Sequence, residues 1–173
     1  RCQVPFIDYG TALFGAFGTM AAIMQRTRTG RGQVVDASLY STGLSFMSAY
    51  LIEQGVQNLD RTARGNRGFH ASPVDTFRTT DGHIMVATIG MPLLERLAKL
   101  IDKPQWLEDE RMQTDQGRAD HANEISAGVQ AWCEQLSTEA ALSVLEQARV
   151  PAGPVVSPQA VLDDPHAQAR GLF

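Results

Sequence analysis

One acidic residue is the strongest candidate for chemistry in this sequence. Asp8 begins the stretch DYGTALFGAFGTMAAIMQRTRTG, whose apolar residues recur with a helical period. A carboxylate can act as a nucleophile or as an acid or base, and the partial positive charge of a helix N-terminus keeps it ionised. Residue type and position alone favour a simpler interpretation, in which Asp8 caps the helix or lies in its first turn. The two interpretations are compatible.

A loop rich in arginine and glycine is the second candidate. Residues 55–73 show no periodicity, and a loop of this length in a compact protein is usually functional or disordered. It is either a solvated basic surface or a mobile element whose cations bind phosphates or a carboxylate. It is not a Walker loop, because no G-K-[ST] follows. Its charged and flexible residues are Arg61, Arg64, Arg67, Gly65 and Gly68.

Metal and serine-hydrolase chemistry find no support in the sequence. No pair of histidines has metal-ligand spacing with an obvious third partner, so we predict no metal site. No G-x-S-x-G motif occurs. Cys2 and Cys133 are too few and too far apart for a disulfide framework, so a reducing cytoplasm is expected.

The charge distribution limits the classes of binding partner and indicates a domain boundary. A net charge of −4 and a pI near 5.5 argue against nucleic acid or an anionic membrane as a main partner. No apolar run approaches the length of a membrane span, so no membrane is expected. Residues 1–67 carry about +3 and residues 68–173 about −7. The change falls near the glycine-rich stretch ARGNRGFHASP, which is the candidate boundary.

The elements that must position Asp8 follow a helix, strand, helix order. The first helix has a broad apolar stripe and ends at Gly30, a natural C-terminal glycine. Gln33 to Val35 are then predicted to form a short buried strand. Asp36 is predicted to cap a second helix that runs to about Gln54. This succession is typical of an α/β layer fold. The stripe consists of Leu13, Phe17, Met20 and Met24.

The second half has the pattern of a small α+β unit. VDTFR and HIMVATI, joined by a turn with Asp81-Gly82 at its tip, predict a β-hairpin. Caps and prolines mark the starts of the later helices. These helices are expected to begin at Pro92, about Arg118 (running to Leu136), Ser137, Ser157-Pro158 and Asp164-Pro165.

Several segments together resemble the class III CoA-transferases, a family that includes carnitine CoA-transferase, formyl-CoA transferase and α-methylacyl-CoA racemase. The segments are the helix that begins at Asp8, TGRGQVVDASL, FRTTDGHIMVA and ARVPAGPVVSPQAVLDDPHAQARGLF, in that order. The resemblance covers essentially the whole chain. It implies an α/β fold, with a Rossmann-like large domain, a small α+β domain and two chains interlocked in a homodimer. Family members are longer, so the chain is expected to be a C-terminal fragment.

The resemblance also implies domain limits and a site. Residues 1–73 would be the C-terminal portion of the large domain with an active-site loop at 55–73, residues 74–150 the small domain, and residues 151–173 a linker returning to the large domain. Asp8 falls where the family has its nucleophilic aspartate, and free N–H groups near Tyr9 and Gly10 would stabilise the oxyanion. For Tyr9, core packing is slightly favoured over contact with an acyl group. Candidates for binding CoA or the acceptor acid are Arg64, Gly65, Asn66 and Arg67.

Three functions remain open at this point. The first is transfer of CoA between an acyl-CoA and a small carboxylic acid through an aspartyl anhydride and an aspartyl-CoA thioester, with the CoA thioester as substrate and no covalently bound cofactor. The second is an α-methylacyl-CoA racemase, in which the same aspartate would shuttle a proton. The third is a non-catalytic fragment, whose Asp8 helix would have an apolar face without its sheet.

Overall fold

The chain folds as two compact units. The computed structural model describes residues 3–173, and one unit ends at Thr62 while the other runs from Ala63 to Phe173. The first unit is helical, and the second combines a small sheet with helices. The architecture is therefore mixed α/β. Each unit is described by itself below.

The described part of the first unit, residues 3–62, has three helices: α1 (Phe6–Thr29), α2 (Leu39–Phe46) and α3 (Ser48–Gln57). The predicted end of α1 is confirmed. Gly30 adopts the left-handed conformation (φ 71°) and its N–H donates to Arg26 O at 2.8 Å. Asp8 lies in the first turn and is not the N-cap, because Pro5 occupies that position without a side-chain cap.

Two predictions for the segment after α1 are wrong. Gln33 to Val35 form no strand, and Val34 is 94% exposed. A strand needs a neighbour for its backbone groups, and all three strands of the described chain lie in the second unit, after residue 73. Asp36 does not cap α2 either. Ser38 does so, and its side chain accepts a hydrogen bond from the Ser41 N–H at 3.1 Å.

The second predicted helix is divided and extends further than expected. Met47 separates α2 from α3, and α3 continues past Gly55 to Gln57. It ends at Asn58, which takes the left-handed conformation (φ 52°) that asparagine tolerates better than most residues. The helix therefore stops at an asparagine, and its last residue, Gln57, lies three residues beyond the predicted end at about Gln54.

The apolar stripe of α1 is largely uncovered. Leu13 is 72% exposed and Phe17 is 75% exposed, while Gly10 and Ala22 are the buried residues of the helix. By length and composition α1 could cross a membrane, and only 11% of its apolar 18-residue window is buried. The expectation that no apolar run approaches that length is therefore wrong. A surface of this kind requires an apolar environment, supplied either by protein or by lipid.

A three-stranded antiparallel sheet organises the second unit. β1 (Val74–Arg78) pairs with β2 (His83–Ala87), and β2 pairs with β3 (Ala152–Pro154). The predicted hairpin is confirmed, with Phe77 opposite Ile84. Its predicted tip at Asp81-Gly82 is wrong by one residue, because the Thr79 N–H donates to Gly82 O at 2.9 Å and leaves Thr80-Asp81 at the tip. The third strand was not predicted. It has only three residues, and it is defined by its pairing with β2.

Six α-helices pack around or follow the sheet in the described chain. The predicted helix at 118–136 is wrong in three respects, because it begins at Asp115, breaks at His121 and ends at Cys133. Thr114 caps the early start by accepting the Gly117 N–H at 3.0 Å. The predicted caps Ser137, Ser157 and Asp164 are confirmed. The helices are α4 (Met91–Leu100), α5 (Asp115–Asp120), α6 (Ala122–Cys133), α7 (Thr138–Gln147), α8 (Pro158–Leu162) and α9 (Pro165–Ala169), with short 3-10 turns at Pro104–Leu107 and Glu110–Met112.

The second unit has its own hydrophobic core. Side chains from the inner face of the sheet meet apolar residues of α4, α6 and α7, and each is almost fully buried. Burial of this kind is the dominant favourable term in folding. The loop residues from Ala63 onward are therefore attached to a packed scaffold. The most buried members of this core are Phe77, Ile84, Val86, Leu94, Leu97, Ile125, Val129 and Leu145.

Candidate active site

Asp8 presents an accessible carboxylate on the first turn of α1. The residue is exposed. Within residues 3–173 its carboxylate takes part in no ion pair and accepts no side-chain hydrogen bond. A carboxylate that is neither buried nor paired keeps its lone pairs free for another group. Asp36 of the same unit is exposed as well, so the position of Asp8 on the first turn of α1 is what distinguishes it.

The amide groups around Asp8 differ from the expectation. The Phe6 N–H donates to Val4 O at 2.9 Å, and the Tyr9 N–H donates to Pro5 O at 3.1 Å. Gly10 lies beyond the first amides of the helix, which are the ones without an intrahelical acceptor. The Tyr9 N–H is therefore already engaged, and stabilisation of an oxyanion by free N–H groups near Tyr9 and Gly10 stays a prediction. In the described chain, the N–H groups of Ile7 and Asp8 itself are the ones left open.

Gly10 allows α2 to approach the start of α1 closely. A Cβ at this position would lie 2.7 Å from Phe46 Cζ and 3.1 Å from Thr42 Cγ2. The Phe46 ring also lies 6.2 Å from the Phe6 ring and 6.1 Å from the Phe14 ring. This aromatic cluster fixes the turn that carries Asp8. Gly10 is thus a packing residue beneath the site.

A polar contact strengthens the same junction, and Tyr9 beside Asp8 is exposed. Thr11 Oγ1 donates to Thr42 Oγ1 at 2.9 Å and to Ile7 O at 2.8 Å. Tyr9 is 61% exposed, so the core-packing interpretation of this residue is wrong. The exposed ring lies next in sequence to Asp8 and is available to a ligand.

The arginines of the loop divide between the two units. Arg61 belongs to the first unit, where its Nε and Nη2 donate to the Glu53 carboxylate at 2.5 and 2.8 Å. This two-point ion pair attaches the end of the first unit to α3. Arg64 and Arg67 belong to the second unit. Gly65 between them has φ 71°, a conformation that favours glycine.

Arg64 and Arg67 line a cleft of about 260 Å³ beside the junction of α5 and α6. Arg67 Nε donates to Asp75 Oδ2 at 3.2 Å, and its Nη1 donates to Asn123 Oδ1. Arg64 Nη1 donates to Ala119 O at 3.2 Å. The other residues that line the cleft are Ala119, Asp120, Ala122 and Asn123. Asn66 is exposed and lies outside this set.

Asp75 and Asn123 were missed by sequence reasoning. Asp75 is mostly buried on β1 and accepts hydrogen bonds from Arg67, from Ser126 Oγ at 3.3 Å and from the Thr76 N–H at 2.8 Å. Asn123 lies 56 positions after Arg67. No local pattern marks either residue, since only the packing of α6 against β1 brings them to the loop.

The remaining reactive side chains have structural surroundings. His121 Nδ1 lies 2.8 Å from Gly117 O, within the break between α5 and α6. No group of three or more potential metal ligands occurs among residues 3–173. Burial raises the pKa of the Cys133 thiol to about 12, so this cysteine stays protonated and unreactive at neutral pH. Cys2 lies outside the described residues.

The comparisons with known proteins agree over the whole chain. The model of CoA-transferase family III matches residues 1–173. A Chloroflexus aurantiacus protein named "Succinyl-CoA--D-citramalate CoA-transferase" is 30% identical over 171 residues, which are 98% of this chain and 42% of that protein. A Haloarcula marismortui protein named "Succinyl-CoA:mesaconate CoA-transferase" is 30% identical over 167 residues, 96% of this chain and 41% of that protein. The chain thus spans about two fifths of the length of these relatives.

A solved structure gives the same result for the fold. The crystal structure of a CAIB/BAIF family protein from Brucella suis superimposes with a TM-score of 0.78 at 25% identity. The match covers 99% of this chain and 45% of that one. A TM-score of this size over nearly the whole chain indicates a shared arrangement of the elements described above.

Proposed function

The chain belongs to CoA-transferase family III, and we propose that the protein moves CoA between an acyl-CoA thioester and a free carboxylic acid, with Asp8 as the covalent nucleophile. One observation carries the assignment to Asp8. Its carboxylate is exposed and has no ion-pair partner within residues 3–173, on the first turn of α1 in a chain that the family model matches throughout. The Glu53 carboxylate in the same unit differs from that of Asp8, because it accepts hydrogen bonds from Nε and Nη2 of Arg61.

The proposed reaction needs only acyl exchanges at the Asp8 carboxylate. An Asp8 oxygen attacks the thioester carbonyl, the C–S bond breaks, and CoA leaves as the thiolate. The product is a mixed anhydride of Asp8 and the donor acid. The thiolate attacks the Asp8 carbonyl carbon, the donor acid leaves as a carboxylate, and an aspartyl-CoA thioester remains. The acceptor carboxylate then reverses both steps. No water, electron or net proton is consumed.

The local geometry supports stabilisation of the oxyanion. Each attack creates a tetrahedral intermediate with a negative oxygen, which requires fixed hydrogen-bond donors. We assign this role to the open N–H groups of Ile7 and Asp8, at the positive end of α1. Removal of one such donor typically costs about 3 kcal/mol of transition-state stabilisation. The contact of Gly10 with Phe46 would keep these amides in place.

The relatives favour transfer over racemisation and indicate the substrate class. Both relatives described above are named as transferases that use succinyl-CoA, one with D-citramalate and one with mesaconate. Both acceptors are small dicarboxylic acids. We therefore propose succinyl-CoA, or a similar acyl-CoA, as donor and a small dicarboxylic acid as acceptor. The racemase alternative is less favoured.

The proposed assembly would cover the exposed stripe of α1. A Rossmann-like large domain in an interlocked homodimer buries helix faces of this type against a sheet or a partner chain. The exposure of Leu13 and Phe17 supports such a partner. We place this assembly in the cytoplasm, without a covalently bound cofactor and without nucleic acid or membrane as a partner. A non-catalytic role is the competing interpretation of the same exposed face.

Chemical trapping of the intermediate tests the proposal. The protein is incubated with succinyl-CoA and then with hydroxylamine, which converts an aspartyl thioester or anhydride into a hydroxamate. Mass spectrometry should find the modification at Asp8 and not at Asp36, an exposed aspartate of the same unit. Exchange of solvent deuterium at the acyl Cα without an adduct would support the racemase instead. The absence of both, with the donor bound, would support the non-catalytic interpretation.

A further inference from the structure

The chain passes from the first unit to the second between Thr62 and Ala63. The sequence allowed one mobile loop over residues 55–73, but the side-chain contacts divide this loop into two held parts. One part is attached to the first unit and the other to the second. Only a short step of the chain lies between them, and its limits follow from the contacts on each side.

The part before the step is held against α3. Gln54 spans two of its residues, because its Nε2 donates to Asn58 Oδ1 at 2.9 Å and its Oε1 accepts the Asp60 N–H at 2.7 Å. Arg61 then donates from Nε and Nη2 to the Glu53 carboxylate at 2.5 and 2.8 Å. The Arg61 and Glu53 side chains are only 14% and 15% exposed. Two-point pairs between arginine and a carboxylate are among the stronger hydrogen bonds of proteins, so the chain is fixed as far as Arg61.

The part after the step is held by side chains of the second unit. Arg64 Nη1 donates to Ala119 O at 3.2 Å. Arg67 Nε donates to Asp75 Oδ2 at 3.2 Å, and its Nη1 donates to Asn123 Oδ1. The Asp75 side chain is only 13% exposed, so this acceptor is shielded from water and belongs to the packed scaffold. The chain is therefore fixed again by Arg67.

Backbone packing attaches the rest of the loop to the start of β1. The Gly68 N–H donates to Val74 O at 2.8 Å. A Cβ at Gly68 would lie 3.0 Å from Val74 Cβ and 3.1 Å from Ala71 O, which shows how closely the loop folds back. Ala71 and Ser72 are buried. This stretch is consequently part of the second unit and not a free segment.

Thr62 and Ala63 are the residues between the two sets of contacts. Both are exposed. Neither makes a hydrogen bond through its side chain or its backbone within residues 3–173. Few contacts and a solvent-exposed backbone are the features of segments with low local stability. Domain hinges are likewise a few loop residues whose φ and ψ angles absorb the motion.

We propose that Thr62 and Ala63 form a hinge about which the two units reorient as separate bodies. Two arginine pairs set its limits, Arg61 with Glu53 on one side and Arg67 with Asp75 on the other. Residues 67–73 then move with the second unit and keep their own conformation. The inference goes beyond the proposed function and is independent of the reaction at Asp8.

Relaxation of the backbone ¹⁵N nuclei, measured by NMR on the 173-residue chain, tests the hinge. We expect order parameters below about 0.6 at Thr62 and Ala63, and of about 0.85 at Arg61 and Gly68, which are typical of flexible and rigid backbone. Low values throughout residues 58–73 would overturn the limits and support one mobile loop. Values of about 0.85 at Thr62 and Ala63 would overturn the hinge itself.

Residual dipolar couplings show whether the two units reorient. They are measured in a weakly aligning medium and fitted separately for the amides of α1 and for those of the sheet and α6. Separate motion should give the two units alignment tensors of different magnitude. One tensor that fits both sets would mean a rigid connection and would overturn the proposal.

Variants of the two carboxylates should each move one limit of the hinge. Glu53→Gln keeps the size of the side chain and removes its charge, so the order parameter of Arg61 should fall below about 0.6 while that of Arg67 stays unchanged. Asp75→Asn should lower the order parameter of Arg67 and leave that of Arg61 unchanged. Should Asp75→Asn fail to fold, Glu53→Gln tests the first limit by itself.

Glu134→Gln is the matched control. Glu134 pairs with the exposed Arg78 in the second unit, at 3.1 Å, and this pair holds no residue of the segment 58–73. The control should therefore leave the order parameters of that segment as they are in the parent protein. An equal change in the control, or no change at Arg61 in Glu53→Gln, would overturn the role of the arginine pairs.

Discussion

Replacement of Gly10 by alanine should destabilise the junction between α1 and α2. The new Cβ would lie 2.7 Å from Phe46 Cζ and 2.9 Å from Phe46 Cε2. Carbon atoms without a bond between them prefer separations of about 3.5–4.0 Å. The Phe46 ring must therefore move, although it packs against Phe6 and Phe14. This movement shifts the support of the turn that carries Asp8.

The change in the free energy of unfolding of Gly10→Ala has two opposing contributions. Overpacking of this type costs about 1–3 kcal/mol, while alanine in place of glycine within a helix contributes about 1 kcal/mol of stability. Gly15→Ala isolates the second term, because its Cβ would meet only Ala37 Cβ at 3.8 Å. The free energy of unfolding should thus be about 1–3 kcal/mol lower for Gly10→Ala than for Gly15→Ala.

Urea unfolding followed by far-ultraviolet circular dichroism measures this difference. In the Phe46→Leu background the clash is relieved, so the difference between the two alanine variants should largely disappear. The reasoning is refuted if Gly10→Ala is as stable as Gly15→Ala in the parent protein. It is also refuted if Phe46→Leu leaves the difference unchanged, because the ring would then not be the obstacle.

The remaining predictions concern Asp8, Asp75 and Cys133. Asp8→Ala should abolish CoA transfer, as a transfer assay would show. It should change the free energy of unfolding in urea by less than about 1 kcal/mol, because Asp8 makes no cap hydrogen bond and the variant loses only the interaction with the helix dipole. Asp75→Ala should destabilise the protein by about 1–3 kcal/mol in the same unfolding assay, because Arg67 and Ser126 lose a mostly buried acceptor. Cys133 should resist iodoacetamide at pH 8 until the protein unfolds, as mass spectrometry of its peptide would report, because burial raises the pKa of its thiol to about 12. Its raised folded pKa also means that its contribution to stability is complete below the ordinary value of 9.0 and is lost as the pH rises towards 12.

The sequence alone determined the features that depend on neighbouring residues. Gly30 ends α1 because a left-handed residue completes the last turn, and Ser137 caps α7 through the amide three positions on. The hairpin of β1 and β2 is equally local, since it joins two neighbouring segments with alternating apolar residues, although its turn lies at Thr80-Asp81, one residue before the predicted tip. Family membership also followed from the sequence, because several such local segments occur in a characteristic order.

Tertiary structure decided which of those segments acquire partners. Val34 and Val35 resemble a strand, but the described chain offers them no neighbour to pair with, whereas residues 152–154 become a strand because β2 lies beside them. The candidate site likewise depends on partners that are distant in sequence. Asp8 could be found from its position at a helix start, but the pairing of Arg67 with Asn123 required α6 to pack on β1. Contacts between residues distant in sequence leave no local pattern, so only the folded chain reveals them.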